Sequence, residues 1–327
     1  MSAVEQPAVA HLDELHGLPV HDFTGSQDPL PAAGTVAWRL SLDAYAEDAD
    51  DAAGETDGPD AYGKLWQRFL TAVDPAGVRA LVVGSWGDAA AEDSREAVRL
   101  LVEARGQLTG LLAVFVGDLA PEEAALSWIG QCDMTPLLTA YPQLQELGIR
   151  GGADLVLAPV RHGHLRTLAI ESAGLPAGVV RALGASDLPA LEYLELWLGV
   201  PECGGNTAVA DLAPLLAGER LPALRHLGLR NSADQDAIAG ALAEAPIVAR
   251  LTSLDLSLGT LGDEGAAALL AGQPLTHLSW LDLHHHFLGD KAAQAVRDAL
   301  EPAGVEVDLD DAMEAGAGEP RYVAVEE

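Results

Sequence analysis

The residues best suited to chemistry lie late in the chain. Asp255 and Asp282 occupy the same place in two similar phrases, LTSLDL from Leu251 and LSWLDL from Leu278, and the second phrase runs into His284, His285 and His286. If the phrases are neighbouring strands, the two carboxylates stand roughly 5 Å apart on one surface. Such a pair must share a proton, bind a cation or meet a basic partner. His284 shares that surface, so Asp255, Asp282 and His284 form a candidate divalent-ion site as well as an acidic patch. The three histidines alone are a poor ligand set, because successive strand residues alternate faces. His285 starts the turn, and His286 is placed where its ring can bond backbone groups.

Other chemical motifs fall short. Gly58 to Leu65, GPDAYGKL, has the glycine and lysine spacing of a phosphate loop. However, Leu65 cannot ligate magnesium, Pro59 lacks an N–H, and the acidic residues before it would repel ATP. Gly184 to Leu188 lacks the closing glycine of a nucleophile elbow. No H-E-x-x-H or G-x-G-x-x-G is present, and Cys132 and Cys203 make no zinc spacing. Cys132 reads as a core thiol in an apolar helix. No catalytic residue, metal ligand set or cofactor is assigned, and the chain is expected not to be an enzyme.

Composition narrows the partner. The 327 residues carry 18 Lys+Arg against 50 Asp+Glu, a formal charge of −32, which repels nucleic-acid phosphate and anionic lipid. A protein partner, basic in character, is the expectation, with no nucleic acid and no membrane. Two cysteines and no apolar span or basic leader point to the cytoplasm.

The elements that position these residues are repeated. An aliphatic phrase of spacing i, i+3, i+5 begins at Ala37, Val78, Leu111, Leu144, Leu165, Leu191, Leu224, Leu251 and Leu278, and the alternating Val305, Val307 and Leu309 are expected to form a last strand. Each phrase ends in strand alternation, and the segments between are long enough for crossover helices, so the strands should be parallel. Helical spacing appears at Leu65, Trp66, Phe69, Leu70 and Val73, and at Ile238, Ala239, Leu242 and Ala243. Thr135-Pro136 reads as a helix start, and Gly184, Gly218 and Gly272 as helix stops. Trp66 and Trp128 read as core, while Trp86 is undecided.

In LTSLDLSLGTLGDEGAAALL and LSWLDLHHHFLGDKAAQAV the chain resembles the leucine-rich-repeat superfamily, the ribonuclease-inhibitor type in particular. From SWIGQCDMTPLLTAYPQLQELGIRGG onward it is also similar to bacterial cytosolic leucine-rich-repeat proteins of unassigned biochemistry. The resemblance implies an α/β solenoid, a horseshoe of about nine or ten parallel strands on the concave face with helices on the convex face. One departure stands out: the usual Asn after each strand is replaced by Gly152, Ala173, Gly199, Ser232, Gly259 and His286.

The expected organisation is an N-terminal cap over 1–36 that hides the first strand edge, a solenoid over 37–309 with an acidic loop insertion at 46–60, and an unstructured acidic tail over 310–327. The apolar positions Val82 to Gly117 of the concave face invite the cap or the insertion to fold over them. From Arg150 to His284 the same face carries the residue types that dominate binding hot spots. Arg150, Glu171, Tyr193, Glu195, Trp197, Arg230, Asp255, Trp280, Asp282 and His284 are the candidate partner-binding residues. The function expected is a protein-protein interaction scaffold. The alternatives are an inhibitor or immunity-like protein for a basic nuclease or toxin, a metal-dependent accessory protein using Asp255, Asp282 and His284, or a module whose convex helices make the contact.

Overall fold

The aliphatic phrases become strands and the amphipathic spacers helices in a computed structural model that describes residues 9–24, 29–42, 60–89, 91–316 and 319–326. The acidic insertion expected at 46–60 lies, apart from Asp60, outside the described residues. The chain divides into two units, Met1–Val156 and Leu157–Glu327.

In the first unit, β1 (Glu14–Leu15) and β2 (Leu18–Asp22) form a hairpin, and β2 pairs in parallel with β3 (Ala37–Leu40). The hairpin turns on His16 and Gly17, both at positive φ, as a two-residue turn matched to strand twist requires. Strands β4 (Ala80–Val83), β5 (Ala113–Val116) and β6 (Glu146–Arg150) continue the parallel ladder; the phrases from Val78, Leu111 and Leu144 match position for position, whereas the phrase expected from Ala37 is two residues out of step, Ala37 pairing with Ala80 and not with Val78. Helices α1 (Ala61–Ala72), α2 (Arg95–Glu103) and α3 (Thr135–Ala140) lie between them in the chain. The helix start expected at Thr135-Pro136 is displaced by one residue: Thr135 is the first helical residue, and the Asp133 side chain takes its N–H at 2.9 Å.

The expected cap does more than cover an edge. Leu15, with Leu12, Leu18 and Val20 around it, packs on Ala37, Ala80, Val82, Ala113 and Phe115, so the apolar positions opposite the helices become a second core layer. The small residues make room for it. The Phe115 ring lies across Gly148, where even a Cβ would overlap it.

The second unit repeats strand and helix without interruption: β7 (Thr167–Glu171), α4 (Ala177–Ala185), β8 (Tyr193–Gly199), α5 (Val209–Ala217), β9 (His226–Ser232), α6 (Gln235–Leu242), β10 (Ser253–Asp255), α7 (Asp263–Ala271), β11 (Trp280–Asp282), α8 (Asp290–Leu300) and β12 (Glu306–Asp308). All its strand pairs are parallel and unslipped. Leu194, Leu196, Leu227, Leu229, Leu254 and Leu281 point toward the helices and are buried, each contributing about 1.5–3 kcal/mol of burial. The intervening residues form the open face. Gly218 closes α5 with a left-handed residue and Gly272 follows α7, but Gly184 lies inside α4, pressed against Pro214 of α5.

The tail differs from the unstructured segment expected. Residues 319–326 return along the ends of the strands: Arg321 reaches Asp236 at 2.7 Å, Ala324 N–H donates to Leu258 O at 2.8 Å, and Val323 is buried. Asn231, in a left-handed conformation, bonds both the N–H (3.1 Å) and the carbonyl (2.7 Å) of Val325. Tyr322 closes an aromatic cluster with His285 and Phe287. Acidic composition predicted solvation; buried Val323 and the backbone bonds made by Ala324 and Val325 override it, while Tyr322 stays 41% exposed.

Candidate functional site

Register turns sequence positions into columns on the open face of the second unit. Glu195, Gly228, Asp255, Asp282 and Asp308 face one another strand by strand. Neighbouring strands lie about 4.8 Å apart, so Asp255, Asp282 and Asp308 are a ladder of three carboxylates. Each is clamped in the same way. Asp255 accepts the N–H of Ser257, Asp282 that of His284 and Asp308 that of Asp310, all at 2.9 Å. Burial pushes the Asp255 carboxyl up to about 6; Arg230 opposes this and the charge of Asp282 adds to it.

At the C-terminal end of the ladder His284 closes a cluster. Its Nδ1 is 2.7 Å from Asp282 Oδ1, and Asp282, His284 and Asp308 offer ligand atoms that all lie within 4.8 Å of one another. Burial lowers the His284 pKa, but the hydrogen bond and charge of Asp282 outweigh it and hold the imidazole above its ordinary value. One imidazole and two carboxylates from adjacent strands are the donor set for a borderline divalent ion such as Zn²⁺ or Mn²⁺. The cation grouping expected from Asp255, Asp282 and His284 thus has Asp308 in the place of Asp255.

At the other end, Glu195 is fully engaged. Its Oε1 accepts from Trp197 Nε1 at 2.7 Å and Arg230 Nη1 at 2.9 Å, and its Oε2 from the Tyr193 hydroxyl at 2.5 Å. Burial would raise its pKa, yet the Arg230 charge and these three donors bring it below the usual carboxylate value. Arg230 also contacts Asp255 at 3.2 Å and lies over the Trp197 ring at 5.2 Å. Beside this network Tyr193 and His226 stack with centroids 4.0 Å apart, and Trp280 continues the row 6.3 Å beyond His226. Burial first, with Arg230, lowers His226 to about 4. Its Nδ1 is 2.8 Å from Ser253 Oγ, whereas Nε2 is buried without a hydrogen-bond partner among the described residues, a cost of about 1–3 kcal/mol.

The ten residues expected to contact a partner differ in exposure. Arg150 belongs to the first unit, where its guanidinium meets Asp118 at 3.4 Å and Leu119 O at 2.9 Å, and its side chain is 3% exposed. Trp197 is 2% exposed beneath Arg230, and Glu195, Asp255 and Asp282 are buried with it. Glu171, Tyr193, Arg230, Trp280 and His284 keep partial exposure. Asp308 and His226 were missed as site residues. Both had a signal, since each stands in a column that already held a candidate.

Several isolated expectations resolve. Trp66 is core, and Trp86 is buried with its Nε1 on Glu92 O. Trp128 is 64% exposed, because its segment forms the short turn Leu126–Trp128 instead of an amphipathic helix. Cys132 is buried beside Ser94 at 3.4 Å, in the loop before α3 and not in a helix. His286 bonds backbone on both sides, to Leu309 O at 3.2 Å and Leu288 N at 3.1 Å. Gly63 and Lys64 of the phosphate-loop lookalike sit within α1. Among the described residues no helix is long and apolar enough to cross a membrane.

The fold and site together define a repetitive α/β protein with an Asp/His/Asp cluster on its open sheet face. No protein-family model matches the chain, and neither does any curated protein. A crystal structure of a Bacteroides fragilis protein is similar at 30% identity, with a TM-score of 0.74 over 82% of this chain and 75% of that one. The chain belongs to the same family as that protein.

Proposed function

We propose that the chain is a non-catalytic, metal-dependent accessory protein of the leucine-rich-repeat class, a horseshoe acting in the cytoplasm. Its strand face holds a divalent cation with Asp282, His284 and Asp308. The observation that carries this reading is the convergence of three ligand atoms within 4.8 Å of one another. Asp255, next in the ladder, adds a further carboxylate, part of whose charge Arg230 takes up at 3.2 Å. Calorimetric titration with Zn²⁺ and Mn²⁺ tests it. One site per chain is expected, at least about tenfold weaker after Asp308→Asn. Absence of binding, or equal binding by the folded variant, overturns the reading.

A second reading has its own support. The partly exposed rings of Tyr193 and Trp280 beside a carboxylate ladder favour a basic protein partner, and with it the scaffold or inhibitor-like role.

A further inference from the structure

Trp128 is the most exposed large apolar side chain among the described residues, at 64%. The short turn Leu126–Trp128 sets it outward: Leu126 and Ile129 are buried, and the Trp128 N–H donates to Ala125 O at 2.9 Å. One exposed ring alone would need no explanation. This one is shared by two cavities of about 490 Å³ each, and Ala89 is the other residue common to both. They open among the loops that follow β4, β5 and β6, all within the first unit. Small residues keep them hollow, Ala124 and Ala125 in the first and Ala91 and Ala153 in the second.

The linings carry one sign of charge. Asp88, Glu122 and Glu123 border the first cavity, Glu92, Asp93 and Asp154 the second, and neither lining includes a lysine or arginine among the described residues. Nearby cations answer only part of this: His11 meets Glu123 at 3.1 Å and Arg95 meets Asp93 at 2.9 Å. An occupant should therefore bring positive charge, and the chain's formal charge of −32 steers such a partner toward it while repelling nucleic acid.

The ring narrows the choice further. An indole is the best aromatic partner for a cation, and arginine is found over such rings more often than lysine, being planar and weakly hydrated. Carboxylates beside the ring can then accept its forked N–H donors. Two cavities call for two side chains. In an extended segment, residues two apart project to the same side roughly 7 Å from each other, enough to straddle a ring.

We propose that this part of the first unit docks an extended basic segment of a partner protein, two arginines of which, separated by one residue, enter the cavities astride Trp128. The inference uses no residue of the Asp282, His284 and Asp308 cluster and does not depend on either reading of the strand face.

The probe is the peptide acetyl-Ala-Arg-Ala-Arg-Ala-amide, titrated into the full chain, with calorimetry for affinity and the indole N–H resonances for location. It should move the Trp128 resonance, identified by its loss in Trp128→Ser, and leave that of Trp280 in place. The citrulline counterpart should not bind, putrescine, with two charges and no planar group, should bind several-fold more weakly, and added salt should weaken the arginine peptide. Trp128→Ser should lower affinity at least about tenfold, the size of a hot-spot truncation. Glu122→Gln tests one cavity and Asp154→Asn the other, each expected to lower affinity about threefold. Asparagine suits the left-handed backbone of Asp154. All three positions are exposed, and circular dichroism confirms folding. Asp308→Asn should keep peptide binding while it loses the cation, so the two proposals fail separately. An unmoved Trp128 resonance, a shift at Trp280 in its place, equal binding by the citrulline peptide or putrescine, or full affinity in any folded variant of the three overturns the inference.

Discussion

Asp118 Oδ1 accepts the Leu12 N–H at 3.0 Å across 106 residues of chain. The same carboxylate meets His11 at 3.4 Å, Arg39 at 3.1 Å and Arg150 at 3.4 Å, with its own side chain fully buried. The N-terminal segment is therefore held to the first unit by one acid that gathers an amide, an imidazole and two guanidiniums, while Leu15 supplies the apolar contact.

Replacing Asp118 with Ala removes the carboxylate that buried Arg150 and half-buried Arg39 share, while Arg39 keeps its bridge to Asp22. Loss of about 3–5 kcal/mol is expected, the size seen when one partner of a buried ion network is removed. Urea denaturation of the full chain measures it. Hydrogen exchange should show the loss concentrated in residues 11–22, and a change below about 1 kcal/mol would mean that the network is dispensable.

Protonation should tune the same contact. Burial raises the Asp118 pKa, but His11, Arg150, Leu12 and Arg39 together hold it below the usual value. Its contribution is present above the unfolded carboxylate pKa and is lost as pH falls through the lower folded one. The His11 pKa is raised, chiefly by its hydrogen bond to Asp118. That contribution is full below the unfolded imidazole pKa of about 6.5 and disappears as pH rises through the folded value. Exchange protection of Leu12 and Val20, corrected for intrinsic rate, should be greatest between roughly pH 4 and 6.5 and should fall on both sides. Asp118→Asn should flatten the profile.

In the second unit Arg230 is the cation that makes a buried Glu195 affordable. Arg230→Met keeps much of the stem packing on Trp197 but strips the charge, so about 3–5 kcal/mol of destabilisation is expected. Glu195→Gln in the same chain should recover part of it, because the carboxylate that needed the arginine has gone. Equilibrium denaturation of the two single variants and the double variant gives the coupling. Strict additivity would show that the contact contributes nothing.

Asn231 should anchor the tail. Removing residues 319–327 frees both hydrogen bonds to Val325 and uncovers His285 and Phe287, so the thermal midpoint should drop by a few degrees. Cys203, whose Sγ lies 2.8 Å from Glu326 O, should then react faster with a thiol reagent. An unchanged thiol rate in the truncated chain would show that the tail does not cover it.

Much of this was legible from residue order. The i, i+3, i+5 phrase decides which side chains meet the helices, because strand residues alternate faces with a period of two. Unslipped pairing then makes columns of equal positions, so the stacking of Asp255 on Asp282, the outward place of Tyr193 and Trp280, and the backbone role of His286 all follow from counting. Asp308 lay one step further along a column already drawn. Counting could not show that Arg150 spends its charge on Asp118, that Trp197 is covered by Arg230, or that Trp128 stands exposed.

Periodicity itself determined the repeating parallel strands, the interleaved helices and the acidic column on the open face. The tertiary structure alone decided what crosses those columns: the hairpin over Ala80 and Ala113, and the tail along Asn231 and Leu258. The physical reason is that a repeat writes each short-range rule many times along the chain. A segment that docks across the repeats is written once, in residues of ordinary type, and only the groove it fills gives them meaning.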